Sequence, residues 1–570
     1  MPAEPYAVST GHDAATGIAV EVLCAGGNAV DAGVAASIAL TVLHSEQVQL
    51  GGVAPMIIRM AGEGITYTID GVGRWPAKAD RSLFHSAYRR RMPIGVLRTV
   101  VPGAPDAWIA ALTRYGTMGF AELAYPAFCL ARDGFPAHDQ LVSSSARFEK
   151  IYRQNVGNAA IWLPGGRCIE PGQIFVQADL SNTLQRLINA DTDASRTAGR
   201  LAGLRAVRDT FYTGEMATQM ADHVADLNGW LTLQDLAAQR TAVDVATVSE
   251  VFGGNLHTCG PWSQGPALSQ ALMIYEKAAH TLSPKSGAEI LHLIAESINL
   301  AMADREAFYG DPEFIDVPLG ELLAPEYAAD RATLIRPDKA FGILPKPGPV
   351  ARGPVKGHFN TSSGTNSVAS LDTSVAAVID AQGNVFACTP SDSSTDAPVV
   401  PGLGFVISTR GGQSHTAEGH PSALAPGKRP RITACPMLFI SGEGRVIAGG
   451  GPGADLQLQA MVQTLVHHLS DQQSLADAVA APRVFSFSPP TSGAPHLAFP
   501  GRLVVEENLP DASMVSLADL GHKTVCGSGT GINNPLICFV AAGPGHASYE
   551  AVGDPRGEAG QRAAQAKGVT

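Results

Sequence analysis

The chain has 570 residues, of which 45% are hydrophobic and 16% charged, and its formal net charge is −12. This length supports a large hydrophobic core and by itself suggests several domains. The negative charge and the lack of long basic runs argue against nucleic-acid and membrane partners, and no apolar run is long enough for a transmembrane helix. The eight cysteines form no CxxC pair, so we expect free, buried thiols in a cytoplasmic protein.

The N-terminal part of the chain predicts helices and a strand pair. Asp13 can cap a helix that the following glycine pair ends near residue 25. Asn28, with Asp31 three residues later, then forms a capping box for an apolar helix that ends near Leu43. The further elements predicted here are paired strands at Met56–Met60 and Thr66–Ile69 and helices at Asp106–Tyr115 and Phe120–Arg132.

A hairpin in the second half of the chain begins beside a hydroxyl residue. Ser374 to Ile379 predicts a buried strand, Asp380 to Asn384 a turn, and Val385 to Cys388 a second strand. The preceding stretch, from Arg336 to Leu371, has the Pro-, Gly- and Ser-rich composition of a mobile linker. A linker that leads to Thr373 at the mouth of a core strand suggests a cut before that residue. An ordinary hairpin with a polar first residue has the same pattern.

A cut before Thr373 would create a catalyst. A threonine hydroxyl is a weak nucleophile until a base takes its proton. A freed α-amino group has a pKa of about 7.7–8.0, so near neutral pH it can act as that base on the same residue. The sequence is therefore compatible with a zymogen that activates itself by breaking its own backbone.

A glycine-rich turn follows farther along the chain. The elements predicted around it are strands at Gly404–Ser408 and Arg445–Ala448 and a helix at Leu456–Leu469. The turn, Gly449 to Asp455, formally matches a dinucleotide-binding fingerprint. However, the residues after the helix predict another helix instead of the second strand of a βαβ unit. Backbone N–H groups at a helix N-terminus also suit an oxyanion hole, which we favour over the nucleotide loop.

Several motifs together resemble the γ-glutamyltransferase family of N-terminal-nucleophile hydrolases. They are Asp372-Thr373-Ser374 followed by Val-Ile-Asp-x-x-Gly-Asn-Val, the segment Ala-Gly-Gly-Asn-Ala-Val-Asp-Ala near the N-terminus, and Pro-Gly-Lys-Arg-Pro at 426–430. The resemblance implies an α+β fold, an αββα four-layer sandwich. It also implies self-cleavage into a large subunit, 1–372, and a small subunit, 373–570. These would form one domain as a heterodimer, which could assemble into a dimer of heterodimers.

The resemblance assigns roles to individual residues. It implies that Thr373 is the nucleophile, that Ser391 orients it, and that the backbone amides of Gly453 and Ala454 form the oxyanion hole. The family's groups that bind a γ-glutamyl substrate are less well matched. The carboxylate-binding Arg falls near Val72, with Arg74 close but offset. The remaining candidate substrate-binding positions carry Ser393 in place of a usual Asn, Gln413 near a usual acid, and Ile432 and Thr433 in place of a serine pair.

The catalytic half of the site thus matches the family, and the glutamyl-binding half does not. We expect hydrolysis of an amide in a small-molecule, non-glutamyl acyl substrate, with no cofactor and no metal. One alternative is γ-glutamyl transfer or glutathione hydrolysis, which would need Arg74 or another base to bind the substrate carboxylate. Another is an unprocessed, inactive scaffold.

Overall fold

The computed structural model describes residues 4–351, 373–527, 535–557 and 559–564. Its strands are β1 Tyr6–Thr10, β2 Met56–Arg59, β3 Thr66–Ile69, β4 Phe135–Pro136, β5 Ile174–Phe175, β6 Val243–Val245, β7 Thr247–Val251, β8 Gly254–Thr258, β9 Ala376–Ile379, β10 Val385–Cys388, β11 Met437–Ser441, β12 Val446–Gly450, β13 Val484–Ser486, β14 Arg502–Val505, β15 Lys523–Cys526, β16 Cys538–Ala542, β17 Tyr549–Gly553 and β18 Gly560–Ala564.

The helices surround these strands in space. They are α1 Asp13–Cys24, α2 Ala29–Leu43, α3 Arg81–Ser86, α4 Ala104–Tyr115, α5 Phe120–Asp133, α6 Asp139–Arg147, α7 Glu149–Tyr152, α8 Val156–Trp162, α9 Ala178–Ala198, α10 Arg200–Tyr212, α11 Glu215–Asp226, α12 Leu233–Ala238, α13 Gly265–Leu282, α14 Gly287–Phe308, α15 Leu319–Leu322, α16 Pro325–Ala332, α17 Asp455–Leu469, α18 Leu475–Ala480 and α19 Asp511–Asp519. None of the described helices is long and apolar enough to cross a membrane.

Two antiparallel sheets form the centre of the molecule. One has the strand order β18-β1-β9-β10-β2-β3-β6, and the other has the order β17-β16-β12-β11-β8-β7. A small third sheet, β13-β14-β15, contains a parallel pair, β14 and β15. Four ladders, β1–β18, β1–β9, β2–β10 and β8–β11, join the chain before residue 352 to the chain after residue 372. Both parts therefore contribute strands to both large sheets.

Alternating side chains of β9 and β10 explain the four layers. Ala376, Val378 and Phe386 pack in the same cluster as the helix α2. Their neighbours Ala377 and Ile379 point the other way, into the cluster between the two sheets. Both faces of these strands are buried, which is why each strand is a continuous apolar run instead of an alternating one. A third cluster packs α13 and α17 on the outer face of the second sheet. The predicted αββα arrangement is confirmed.

The helix α2 is fixed by a capping box at its N-terminus and by close packing against the first sheet. Asn28 accepts hydrogen bonds from the first-turn amides and Asp31 accepts one from the Asn28 N–H, so the predicted capping box is present. Every residue of α2 is buried. At Gly33 the helix lies so close to the sheet that an added Cβ would stand 2.0 Å from Phe386 Cδ1.

His12 caps α1 in place of the predicted Asp13, since its side chain accepts from the Ala14 N–H. Three further sequence predictions differ from the structure. The stretch Gly404–Ser408 forms no strand, because its backbone bonds to loops: Ser408 N–H donates to Gly51 O, and only Val406 makes an isolated bridge. The predicted linker is packed over residues 336–351, where Ala340 N–H donates to Leu520 O and Gly348 N–H to Asp304. Residues 352–371 of that prediction, like Asp372, lie outside the described part of the chain.

The third difference concerns the cysteines. Cys259, Cys388, Cys435 and Cys538 are buried, as predicted, whereas Cys24 and Cys526 are exposed. The described residues contain no disulfide.

Candidate active site

Thr373 lies at the entrance to β9, three residues before the strand begins. Its Oγ1 is hydrogen-bonded to Ser391 Oγ at 2.7 Å, and both residues are fully buried. The backbone of Ser391 pairs with Thr373 on one side and with Val53 on the other. Two backbone hydrogen bonds of 2.9 and 3.1 Å fix the pairing with Val53. The structure therefore brings together the predicted nucleophile and the residue predicted to orient it.

Arg410 is a member of this site that the sequence analysis missed. Its Nη2 donates to Ser391 Oγ, and its Nε lies 3.7 Å from Asp392 Oδ2. Asp392 is itself buried and accepts hydrogen bonds from Ser408 Oγ and from the Thr409 N–H and hydroxyl. Burial raises the pKa of the Asp392 carboxyl, and the Arg410 guanidinium and these hydrogen bonds oppose the rise. Arg410 thus links Ser391, the partner of the predicted nucleophile, to a buried carboxyl group.

A group of three histidines adjoins Ser374, the residue after Thr373. His44 Nδ1 is 3.1 Å from Ser374 Oγ, and the rings of His12, His44 and His138 are in edge contact at 5.1–5.5 Å. Burial lowers the pKa of His44 well below its usual range and that of His12 to about 4. These two imidazoles are therefore neutral near pH 7 and can fix Ser374 only by hydrogen bonding and packing.

The glycine-rich turn after β12 presents two unused amides. Within the described residues, the N–H groups of Gly453 and Ala454 have no hydrogen-bond acceptor. Gly450, the last residue of β12, packs on Thr389: an added Cβ would lie 2.9 Å from Thr389 Cγ2. Thr389 follows β10, which ends beside the start of β9. The turn therefore lies at the same end of the sandwich as Thr373.

The backbone of this turn also decides against the nucleotide-loop interpretation. The strand β12 is antiparallel to both of its neighbours, β11 and β16, whereas a dinucleotide fingerprint belongs to a parallel βαβ unit. Gly453 has φ of 112° and Ala454 has φ of 51°. The second value is costly for a residue with a Cβ, and it turns the chain sharply into α17.

The candidate substrate-binding residues fall into separate groups. Gln413 and Thr433 bind each other: Gln413 Oε1 accepts from Thr433 N–H at 3.1 Å, and Gln413 Nε2 donates to Thr433 Oγ1 at 3.3 Å. Ile432 is buried in an apolar cluster with Val72. Arg74 donates to Glu313 Oε1 at 2.7 Å and to a backbone carbonyl at 3.2 Å, so the structure does not bring it to Gln413.

A cavity of about 70 Å³ opens beside Ser391. It is lined by Arg98, Asp392, Ser393, Asp396, Thr409, Arg410, Gly412, Gln413 and Gly493. Within it, Arg98 Nη1 lies 3.3 Å from Asp396 Oδ2, and Ser393 Oγ is hydrogen-bonded to Thr395 Oγ1 at 2.7 Å. Each arginine of the lining thus faces an aspartate, and the charges of the cavity are balanced.

Comparison with known proteins agrees with this geometry. The family model described as Gamma-glutamyltranspeptidase matches residues 15–564. The chain belongs to the γ-glutamyltranspeptidase family. It is therefore an enzyme of the amidohydrolase and acyltransferase type, as the sequence motifs predict.

Relatives in this family cover most of the chain. The Acylase ACY 1 proenzyme of Pseudomonas sp. (strain SE83) is 30% identical over 91% of this chain and 87% of its own length. The Glutathione hydrolase proenzyme of Bacillus subtilis (strain 168) is 27% identical over 90% and 84%. The solved structure of LmbA2991HD has a TM-score of 0.90 at 30% identity and covers 99% of both chains. Cephalosporin acylase from Bacillus halodurans shares the fold, with a TM-score of 0.82 over 100% of this chain and 97% of its own, at 24% identity.

Proposed function

We propose that the chain cuts its own backbone between Asp372 and Thr373 and then uses Thr373 to hydrolyse an amide of a small, non-glutamyl acyl substrate. The observation that carries the proposal is the 2.7 Å hydrogen bond between the buried hydroxyls of Thr373 and Ser391. A hydroxyl held in one orientation is what a nucleophile requires. That relatives are named proenzymes supports activation by cleavage.

Self-cleavage would proceed by attack of Thr373 Oγ1 on the carbonyl carbon of Asp372. The C–N bond breaks, the nitrogen gains a proton, and an ester forms between Asp372 and the threonine oxygen. Water then hydrolyses this ester, which leaves a carboxyl group on Asp372 and a free α-amino group on Thr373. Ser391 and Arg410 hold the hydroxyl in place for the first step.

In the mature enzyme the freed amine would take the proton of Thr373 Oγ1 as the oxygen attacks the substrate carbonyl. The negative charge that develops on the carbonyl oxygen is stabilised by the N–H groups of Gly453 and Ala454. One such donor is typically worth about 2.7–4 kcal/mol in the transition state. The leaving amine receives the proton, and water releases the acyl group from the resulting ester.

Two observations favour a small, non-glutamyl acyl group. The groups at the glutamyl-binding positions already have partners, since Gln413 and Thr433 bond to each other and Arg74 bonds to Glu313. In addition, the cavity beside Ser391 has a volume of only about 70 Å³. A charged glutamyl backbone would lose several kcal/mol if its carboxylate and ammonium were buried there without partners.

After cleavage the two fragments would stay together as a heterodimer. The ladders β1–β9, β2–β10 and β8–β11 cross from one fragment to the other in both large sheets. Separation of the fragments would expose the core between the sheets, so we expect dissociation only on unfolding.

A second candidate function is hydrolysis or transfer of a γ-glutamyl group. The observation that favours it is the presence of Arg98 and Arg410 in the cavity lining, where a carboxylate could replace an aspartate as the partner of an arginine. A relative named a glutathione hydrolase agrees with this alternative.

Release of p-nitroaniline from a set of anilides would distinguish the two. We expect kcat/KM for an acetyl or butyryl anilide to exceed that for the L-γ-glutamyl anilide at least about 100-fold, which corresponds to about 2.7 kcal/mol. Thr373→Ala should be inactive on every substrate. A preference for the γ-glutamyl anilide would establish the second candidate instead.

A further inference from the structure

Far along the chain from the nucleophile, two histidines and a glutamate meet in the interior. His292 and Glu296 lie one turn apart on α14, and His522 precedes β15. His292 Nδ1 is 2.9 Å from His522 Nε2, and Glu296 Oε1 is 3.8 Å from the same His522 nitrogen. All three side chains are buried, and one ligand atom from each lies within 4.8 Å of the other two.

The hydrogen bonds around this trio direct the lone pair of His292 toward its centre. His292 Nε2 donates to the backbone carbonyl of Arg336 at 2.8 Å, so its Nδ1 carries the lone pair and accepts from His522 Nε2 at 2.9 Å. Metal-binding histidines are held in this way, with the outer nitrogen donating to a carbonyl or carboxylate. Binding of an ion would require His522 to carry its hydrogen on Nδ1 instead.

Glu296 is only 1% exposed, and its Oε2 makes no hydrogen bond of good geometry within the described residues, although the Phe341 backbone and the Asn299 side chain interact with the carboxylate. A buried carboxylate oxygen without a good hydrogen bond is costly.

We propose that His292, Glu296 and His522 bind a divalent transition-metal ion such as Zn²⁺. Two imidazoles and one carboxylate are a ligand set that binds Zn²⁺ and other divalent first-row transition-metal ions, with the remaining coordination positions open to water. Ligands about 2.0–2.1 Å from a tetrahedral ion are about 3.3–3.4 Å apart. The separations of His522 Nε2 from His292 and Glu296, 2.9 and 3.8 Å, stand on either side of that value, and the ligand atoms of His292 and Glu296 lie within 4.8 Å of each other. Small shifts of the side-chain ends would therefore complete the site.

A second trio with similar side chains does not meet these conditions. Glu306 faces His415 and His420, but its other oxygen accepts from Arg431 Nη2 at 2.6 Å. His420 Nδ1 accepts from the Ser422 N–H, so its Nε2 carries the hydrogen and donates to Glu306 at 2.8 Å. The guanidinium and the imidazole N–H already satisfy this carboxylate, and a cation would be repelled by Arg431.

The proposed ion would tie the two fragments together. His292 and Glu296 belong to the part before residue 372 and His522 to the part after it, and beside them Ala340 N–H donates to Leu520 O across the same boundary. This consequence rests on the proposed cleavage. Metal binding itself does not, because the three ligands are in place in the uncut chain.

The test is titration of the purified, chelator-treated protein with Co²⁺ and with Zn²⁺, followed by visible absorption and calorimetry. The variants are Glu296→Gln and His522→Gln, which keep the side-chain size, and the control is His467→Gln. His467 also faces an acidic residue, Asp471 at 3.0 Å, but it belongs to neither trio of candidate ligands that the structure describes.

We expect one ion per chain in the parent and in His467→Gln, and binding at least about 10-fold weaker in both ligand variants. Thr373→Ala should bind the ion as the parent does, which separates this proposal from the cleavage. The thermal midpoint of the parent should rise with added Zn²⁺, and those of the two ligand variants should not. Absence of binding in the parent, or equal binding in the parent and both ligand variants, would overturn the proposal.

Discussion

Replacement of Arg410 by methionine should destabilise the protein because it leaves Asp392 buried without its cation. The Arg410 guanidinium lies 3.7 Å from the Asp392 carboxylate, and both side chains are almost fully buried. Removing one partner of a buried ion pair costs about 3–5 kcal/mol. The hydrogen bonds from Ser408 and Thr409 to Asp392 remain in the variant, so we expect the low end of that range, about 3 kcal/mol.

A double substitution separates the charge effect from lost packing. Arg410→Met combined with Asp392→Asn removes both charges, and we expect it to regain about 2 kcal/mol of the loss. Chemical unfolding would be measured in a Thr373→Ala background, so that every sample is one uncut chain. Arg562→Met is the matched control, because Arg562 pairs with Asp13 at 3.0 Å and both side chains are exposed. An exposed pair of this kind is worth about 0–1 kcal/mol.

The pH dependence of the stability loss tests the same prediction independently. Burial raises the pKa of Asp392 above its unfolded value, and Arg410 opposes that rise, so the pKa rises further in Arg410→Met. A raised pKa in the folded state means that the folded chain holds the proton more tightly. The loss of unfolding free energy in Arg410→Met should therefore be complete at pH values above the pKa of Asp392 in the folded variant. It should shrink as the pH falls through that pKa. A loss no larger than that of Arg562→Met, or a double variant no more stable than Arg410→Met, would mean that the buried ion pair does not stabilise the fold.

Three further variants test other parts of the account. Ser391→Ala should lower kcat about 100-fold with little change in KM, because the Ser391 hydroxyl positions Thr373 rather than the substrate. An unchanged kcat in steady-state assays would contradict this role. Ala454→Gly should raise the unfolding free energy by about 1 kcal/mol, since φ of 51° suits glycine, and a lower unfolding midpoint would speak against strain at this turn. Gly33→Ala should cost about 1–3 kcal/mol in chemical unfolding, because the added Cβ overlaps Phe386; a neutral result would mean that the helix can shift.

The elements predicted most accurately from the sequence are those with local signals. The capping box at Asn28 sets the start of α2, and the apolar run of β10 lies between a turn and a polar segment. The strand predicted at Gly404–Ser408 has a buried apolar pattern too, but its backbone partners are loops. Burial and strand pairing are separate properties, and the pattern reports only the first.

The candidate site was only partly predictable for a related reason. Thr373 and Ser391 lie close together in sequence and carry the family motifs, whereas His44 reaches Ser374 across 330 positions. Arg410 lies between a predicted strand and a polar loop, and no local pattern marks it. Its importance depends on a buried Asp392, which the fold alone reveals.

Intact-mass and N-terminal analysis of the purified protein will show whether the backbone breaks before Thr373. We expect two fragments, the smaller beginning at Thr373, which are also formed in Thr373→Ser and are absent in Thr373→Ala. A single full-length chain in the parent under native conditions, or cleavage that persists in Thr373→Ala, would contradict this expectation.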